Sequence, residues 1–201
     1  MARLARGFTI VELLIVIVVI GILALIAINS ISTAQRRARN AQMITTVKDY
    51  RKALIGYAID NGSYPIGTGT ACLGESYSFS WCGWGVAEDA NFNNAIRPYM
   101  TGGTLPKPGD NPLNYNGCCR KGAFIDNFAG YTVNGISVPW GINYIIEGFE
   151  SCGLGDVMIP AVGDNWPNFS STPDPARGGV SERSGDGNMF CRIRLPDPTT
   201  L

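Results

Sequence analysis

The sequence predicts an α+β protein: a long N-terminal α-helix, first transmembrane and then amphipathic, packed on a small antiparallel β-sheet head with long disulfide-braced loops. Three observations carry this reading. Phe8 to Ile28 is a run of 21 residues with a single charge, Glu12. All 12 prolines and 22 of the 25 glycines lie beyond residue 60, where the composition turns from helix-permissive to loop-rich and β-rich. All six cysteines lie beyond it as well. With 201 residues the chain has room for one ordinary domain and an appendage.

The apolar run comes first. At about 1.5 Å per residue it is long enough to cross a hydrocarbon core about 30 Å thick. A secretory signal would be cut after such a run at small residues, and Ala27-Ile28-Asn29 does not offer that site, so the span is read as retained. Arg3 and Arg6 precede it while Arg36, Arg37 and Arg39 follow closely, so positive charge does not fix its orientation. The cysteines do, because a disulfide-bearing domain belongs on the oxidising side with residues 1–7 in the cytoplasm.

Glu12 is the informative residue within the span. A carboxylate in an apolar helix costs a few kcal/mol on insertion scales, which calls either for a partner or for reach to the lipid headgroups. Its neighbours matter. The run Arg6-Gly7-Phe8-Thr9-Ile10-Val11-Glu12-Leu13 closely resembles the leader junction of type IV pilins and of type II secretion pseudopilins.

That resemblance implies a cleaved leader, residues 1–7, removed by a membrane aspartic peptidase that cuts after Gly7. Glycine suits such a cut because it puts no side chain in the way of an extended backbone. Phe8 would become the new amino terminus and be N-methylated by the same enzyme. Glu12 would pair with the free amino terminus of an adjacent subunit and set registry, since a carboxylate and an ammonium are each costly in lipid and much less so together. The partners implied are further copies of the chain, the prepilin peptidase, a pilus assembly platform with minor pilins, and the inner membrane before assembly. Many relatives carry a proline just past the middle of the span, where this chain reads Ala27-Ile28-Asn29-Ser30.

From Asn29 to Ile59 there is no proline, and Met43, Ile44, Val47, Tyr50, Leu54 and Tyr57 recur at three- and four-residue steps. The helix is therefore expected to span residues 8–60, roughly 80 Å if wholly helical, with 8–28 for the membrane and polymerisation and 29–60 amphipathic. Asn61-Gly62-Ser63-Tyr64-Pro65 should end it, Gly62 supplying a left-handed cap and Pro65 unable to continue. The phrase Asp60 to Pro65 also resembles the segment after the helix in major pseudopilins and in some other pilins.

Residues 61–201 form the exported head. Tyr131-Thr132-Val133-Asn134-Gly135-Ile136-Ser137-Val138 reads as a hairpin closed by Asn-Gly. Residues 143–149, 157–161 and 189–195 are further strand candidates, the last alternating Met189, Cys191, Ile193 and Leu195 with Phe190, Arg192 and Arg194. Residues 66–122 read as long loops, which in a small domain need pinning. Disulfides among Cys72, Cys82, Cys118, Cys119, Cys152 and Cys191 are expected to supply it. Cys72 with Cys82 is the local pair, and the adjacent Cys118 and Cys119 are expected to bond to two different partners.

Several chemistries are thinned by composition. There is no histidine and no Cys-x-x-Cys, which removes the usual zinc, redox and His-dependent catalytic patterns and leaves no enzyme predicted. No cofactor is expected, although Gly163-Asp164-Asn165 and Gly185-Asp186-Gly187-Asn188 offer oxygen ligands of the calcium type without matching a defined loop. Asn168-Phe169-Ser170 fits a glycosylation sequon. Tyr77, Phe79, Trp81, Trp84 and Trp140 are read as core aromatics, with an exposed adhesive patch as the rival. Residues 1–60 hold 8 basic and 3 acidic side chains against 8 and 13 beyond, so the head is acidic and nucleic acid is not predicted as a partner. Taken together, the sequence predicts a pilin: a membrane precursor that becomes part of an extracellular filament. A secretion pseudopilin and a membrane-tethered binding protein that never polymerises are the alternatives.

Overall fold

The computed structural model describes residues 8–66, 69–77, 81–83, 85–109, 113–115, 118–120, 122–127, 132–133, 136–137, 139–148, 152–153, 180–183 and 188–201. Helix α1 (Ile10–Asn61) runs for 52 residues. The chain divides into two compact units, Met1–Ala38 and Arg39–Leu201.

In the first unit, α1 is apolar all round from Ile10 to Ile26, and these side chains are exposed. Ile10 is 85% exposed, and Val16, the most sheltered large apolar residue of the run among the described side chains, is 44% exposed. By length and composition this helix can cross a membrane.

The second unit holds the hydrophobic core. Along the rest of α1, Met43, Val47, Tyr50 and Leu54 are buried, with Ile44 and Tyr57 partly buried against them, so the three- and four-residue spacing does mark the docked face. Ala53 and Ala58 complete that face. The helix stops where Gly62 takes φ +70°, its N–H bonding back to the Ala58 carbonyl at 2.8 Å. Only a residue without a Cβ adopts this conformation at little cost.

The strands are β1 (Thr70–Cys72), β2 (Trp81–Gly83), β3 (Val86–Ala87), β4 (Leu113–Tyr115), β5 (Cys118–Arg120), β6 (Phe124–Asn127), β7 (Thr132–Val133), β8 (Ile136–Ser137), β9 (Trp140–Glu147), β10 (Val180–Arg183) and β11 (Asn188–Arg194). Five of them form an antiparallel sheet in the order β1-β6-β9-β11-β10. Alternation sends Ile142, Tyr144 and Ile146 of β9 and Met189, Cys191 and Ile193 of β11 into the core shared with α1. Strands 143–149 and 189–195 of the sequence reading are thus found at 140–147 and 188–194.

The hairpin expected across residues 131–138 forms, with Thr132 opposite Ser137 and Val133 opposite Ile136, its Asn-Gly turn lying outside the described residues. A second Asn-Gly, Asn116-Gly117, separates β4 from β5, whose closing pair is Tyr115 with Cys118. The sequence reading passed over it. Residues 66–122 are accordingly not simply loop. They hold β1 to β5 and a short helix, α2 (Ala90–Ile96). Asp89 caps α2, its Oδ1 accepting from the Asn91 and Phe92 N–H groups at 2.8 and 3.2 Å, and Phe92 and Ile96, one turn apart, are buried. The candidate strand at 157–161 lies outside the described residues.

Two disulfides brace the head. Cys72 is joined to Cys82 and Cys152 to Cys191, with Cα separations of 5.7 and 5.9 Å. The local pair is the one expected. The expectation that Cys118 and Cys119 bond to two different partners is not met within the chain, because the other four cysteines are paired among themselves. The sheet sets this: it places Cys191 mid-strand in the core face, where Cys152 returns to it, and Tyr144 secures that return by donating its hydroxyl to the Cys152 carbonyl at 2.6 Å.

Candidate assembly site at the helix start

Gly7 lies outside the described residues, and Phe8 stands exposed in front of the helix. Thr9 is the residue from which α1 starts: its carbonyl accepts the Leu13 N–H at 3.3 Å, the first bond of the helical ladder. Its backbone N–H donates to Glu12 Oε2 at 2.9 Å and its hydroxyl donates to the same oxygen at 2.8 Å. The Glu12 N–H donates back to Thr9 Oγ1 at 3.3 Å. This is a reciprocal capping box, in which two otherwise orphaned N–H groups are satisfied by the side chains of Thr9 and Glu12. The helix therefore begins two residues later than expected, with Thr9 as its cap. The signal was present in the sequence as Thr-x-x-Glu ahead of an apolar run, and the sequence reading used only the glutamate.

The cap changes what Glu12 has to offer. One carboxylate oxygen, Oε2, is held by Thr9, whereas Oε1 has no partner among the described residues. A helix start carries a partial positive charge, so an ammonium introduced at Phe8 would be unfavourable there without a nearby anion. Glu12 is the one acidic side chain of the first turn. The arrangement can therefore both start the helix and accept a cationic donor at Oε1.

The head holds polar sites that the sequence reading missed. Asp126 of β6, Asn143 of β9 and Arg192 of β11 form a cluster on the sheet face turned away from α1, where Asp126 is 0% and Arg192 is 4% exposed. Arg192 and the Asn143 amide both donate to Asp126 Oδ2, Arg192 also donates to Asn143 Oδ1 at 3.2 Å, and its other terminal nitrogen donates to the Pro139 carbonyl at 3.3 Å. A Cβ at Gly141 would sit 2.6 Å from the Arg192 guanidinium carbon, so glycine makes room for the arginine. Burial is the largest influence on the Asp126 carboxyl and pushes it above the usual carboxylate range, with Arg192 and Asn143 opposing. Where the helix meets the end of β9, Arg39 donates to Glu147 through two nitrogens at 2.5 and 2.6 Å, while Asn40 and the Glu147 backbone exchange two bonds of 2.9 Å.

Of the remaining candidates, Tyr77 is buried and donates to the Leu73 carbonyl at 2.6 Å. Trp140 packs on Tyr64 with ring centroids 4.9 Å apart. Phe79, Trp84, the sequon at 168–170 and the loops at 163–165 and 185–187 lie outside the described residues.

Residues 2–28 match the family model for the prokaryotic N-terminal methylation motif, the prepilin-type leader of type IV pilins and pseudopilins. No curated protein and no solved structure matches the chain. The motif is the one found at the leader of type IV pilin and pseudopilin precursors, and the apolar helix behind it is long and apolar enough to anchor such a precursor in a membrane.

Proposed function

We propose that this chain is a pilin, cleaved between Gly7 and Phe8, methylated at Phe8, and drawn from the inner membrane into a type IV pilus-like filament at the cell surface. The observation that carries the proposal is the capped helix start: Thr9 and Glu12 open α1 directly behind the methylation motif and leave Glu12 Oε1 for a second group. The amino terminus of a neighbouring subunit has the charge and the donors to occupy it. Behind this start, α1 has an apolar surface that stands exposed among the described residues. In the bilayer lipid covers it, and in a filament other copies do so by close packing. Head-to-tail contacts of this kind repeat without closing and give an open helical polymer.

Electron microscopy of material sheared from the producing cells, with mass spectrometry of the subunit's amino terminus, tests this. Abundant filaments whose subunit begins at a methylated Phe8 are expected. A scarce subunit without surface fibres, whose loss stops export of other proteins, identifies a secretion pseudopilin instead. No fibre at all with residues 1–7 still attached leaves a membrane-tethered binding protein.

A further inference from the structure

The second unit carries a groove of about 440 Å³ lined by α1, by the loop at residues 106–109 and by the end of β9. Its apolar lining is Met43 and Ile145, both buried, with Pro106 and Pro108. Its polar lining includes donors with capacity to spare. Arg39 gives Glu147 its Nε and one terminal nitrogen, and the other terminal nitrogen has no partner among the described residues. Gln42 is exposed and makes no hydrogen bond among them. Lys107 donates to the Ser76 carbonyl at 3.1 Å, which uses one of the three donors of an ammonium. With Arg39 and Lys107 against Glu147, the groove is apolar with an excess of positive charge.

The same unit presents a segment of the opposite kind. Asp197 opens a 3₁₀ turn, Pro198–Thr200, and its Oδ1 accepts from the Thr199 N–H at 2.9 Å and the Thr199 hydroxyl at 2.7 Å. Its Oδ2 has no partner among the described residues. Leu201 follows at 48% exposure, and Ile59 is the other large apolar side chain described as exposed in this unit. The Tyr64 hydroxyl fixes the base of the turn by donating to the Pro196 carbonyl at 2.8 Å.

Strand β9 holds groove and turn apart. Its Glu147 end meets Arg39 and Asn40, whereas at its other end the Trp140 carbonyl accepts the Leu195 N–H at 3.1 Å and the Trp140 ring packs on Tyr64. The eight residues of β9 put roughly 23 Å between those ends at about 3.3 Å per step. A chain therefore does not fill its own groove with its own turn.

We propose that the groove is a contact between copies in the filament, and that it takes residues 197–201 of a second copy, with Leu201 against Met43 and Ile145 and the Asp197 carboxylate at Arg39, Gln42 and Lys107. Because the two surfaces differ and lie at opposite ends of the sheet, the contact repeats from copy to copy without closing. A five-residue turn covers much less than the roughly 1,200 Å² at which stable interfaces begin. The contact accordingly does not hold heads together alone, and forms where helix packing keeps copies at high effective concentration. It rests on the filament reading given above.

The test is photo-crosslinking in sheared filaments, with p-benzoylphenylalanine in place of Gln42 in a chain co-expressed with the wild type so that filaments form. Expected is a covalent dimer in which the probe is joined to residues 195–201 of the second copy. The reciprocal probe in place of Leu201 should join residues 40–48. Asp197→Asn, which keeps the capping oxygen and removes the charge, combined with Leu201→Ser, should lower the dimer yield from position 42 severalfold while filaments still form. Intact filaments that give no dimer from either position, a dimer joined elsewhere on the second copy, or an adduct to another protein would overturn the contact, as would a yield that the double variant leaves unchanged. A wild-type chain that makes no filaments would overturn the polymeric reading itself, and this contact with it.

Discussion

Thr9 and Glu12 show how one carboxylate can serve two ends. Its Oε2 closes the capping box and its Oε1 has no partner among the described residues, so the two roles can be separated by substitution. Glu12→Gln keeps an amide oxygen for the Thr9 N–H but removes the charge, whereas Thr9→Ala loses the reciprocal hydroxyl and keeps the charge. Both Glu12→Ala and Glu12→Gln should insert and be processed yet give few filaments. Thr9→Ala, which loses a cap contribution of about 1 kcal/mol, should assemble with a smaller loss of yield. Wild-type filament yield from Glu12→Gln, measured by shearing and immunoblot, would show that charge is not what assembly reads. Gly7 belongs to the step before. A bulkier residue there should obstruct the extended backbone that a peptidase cleft accepts, leaving precursor in the membrane fraction, and normal processing of Gly7→Leu would refute the assigned cut.

Among the elements, the sheet was the part most legible in sequence on one face and least on the other. Met189, Cys191 and Ile193 alternate as a buried face should, and the structure puts them against α1. The same alternation assigned Arg192 to the opposite side, where a charged residue is ordinarily solvated. It is buried because Asp126 and Asn143, 66 and 49 residues earlier in the chain, are its partners, and no local pattern carries such a pairing. Helix α2 and the Asn116-Gly117 hairpin were missed for a different reason: their signals are local and present, but the surrounding glycine and proline content masked them. The buried cluster also sets a pH dependence. Because burial raises the Asp126 carboxyl in the fold, its contribution to stability is full below the ordinary carboxylate range and is lost as pH rises through the raised value. Arg192 limits that loss by favouring the carboxylate. In Arg192→Met the pKa should rise further and the buried charge stand unopposed, so the variant should be close to wild type at about pH 4 and about 3–5 kcal/mol less stable at about pH 7. Denaturant unfolding of the full chain in detergent at both values checks this, and an equal deficit at the two would assign the loss to packing instead.

For the molecule as a whole, the division at Ala38 separates two solvents rather than two folds. Everything that makes a core lies in Arg39–Leu201: the docked face of α1, the five-stranded sheet and both disulfides. In the first unit, residues 10–26 of the helix expose apolar side chains on every side, a surface that water penalises at roughly 25 cal/mol per Å². Composition made the apolar run legible, but the sequence reading drew its boundaries at residues 28 and 60 rather than at Ala38. In the proposed filament, what covers the run is a property of many copies and a membrane, which a single chain does not contain. The consequence is that solubility and polymerisation should be lost and gained together. Removing residues 1–28 should give a protein that is monomeric in water by light scattering, with the same two disulfides and a cooperative unfolding transition, and that no longer enters filaments. The full chain should need detergent or lipid to stay dispersed. If the shortened protein still polymerised, the filament contacts would have to lie on the head, and the capped helix start would be an anchor rather than an assembly site.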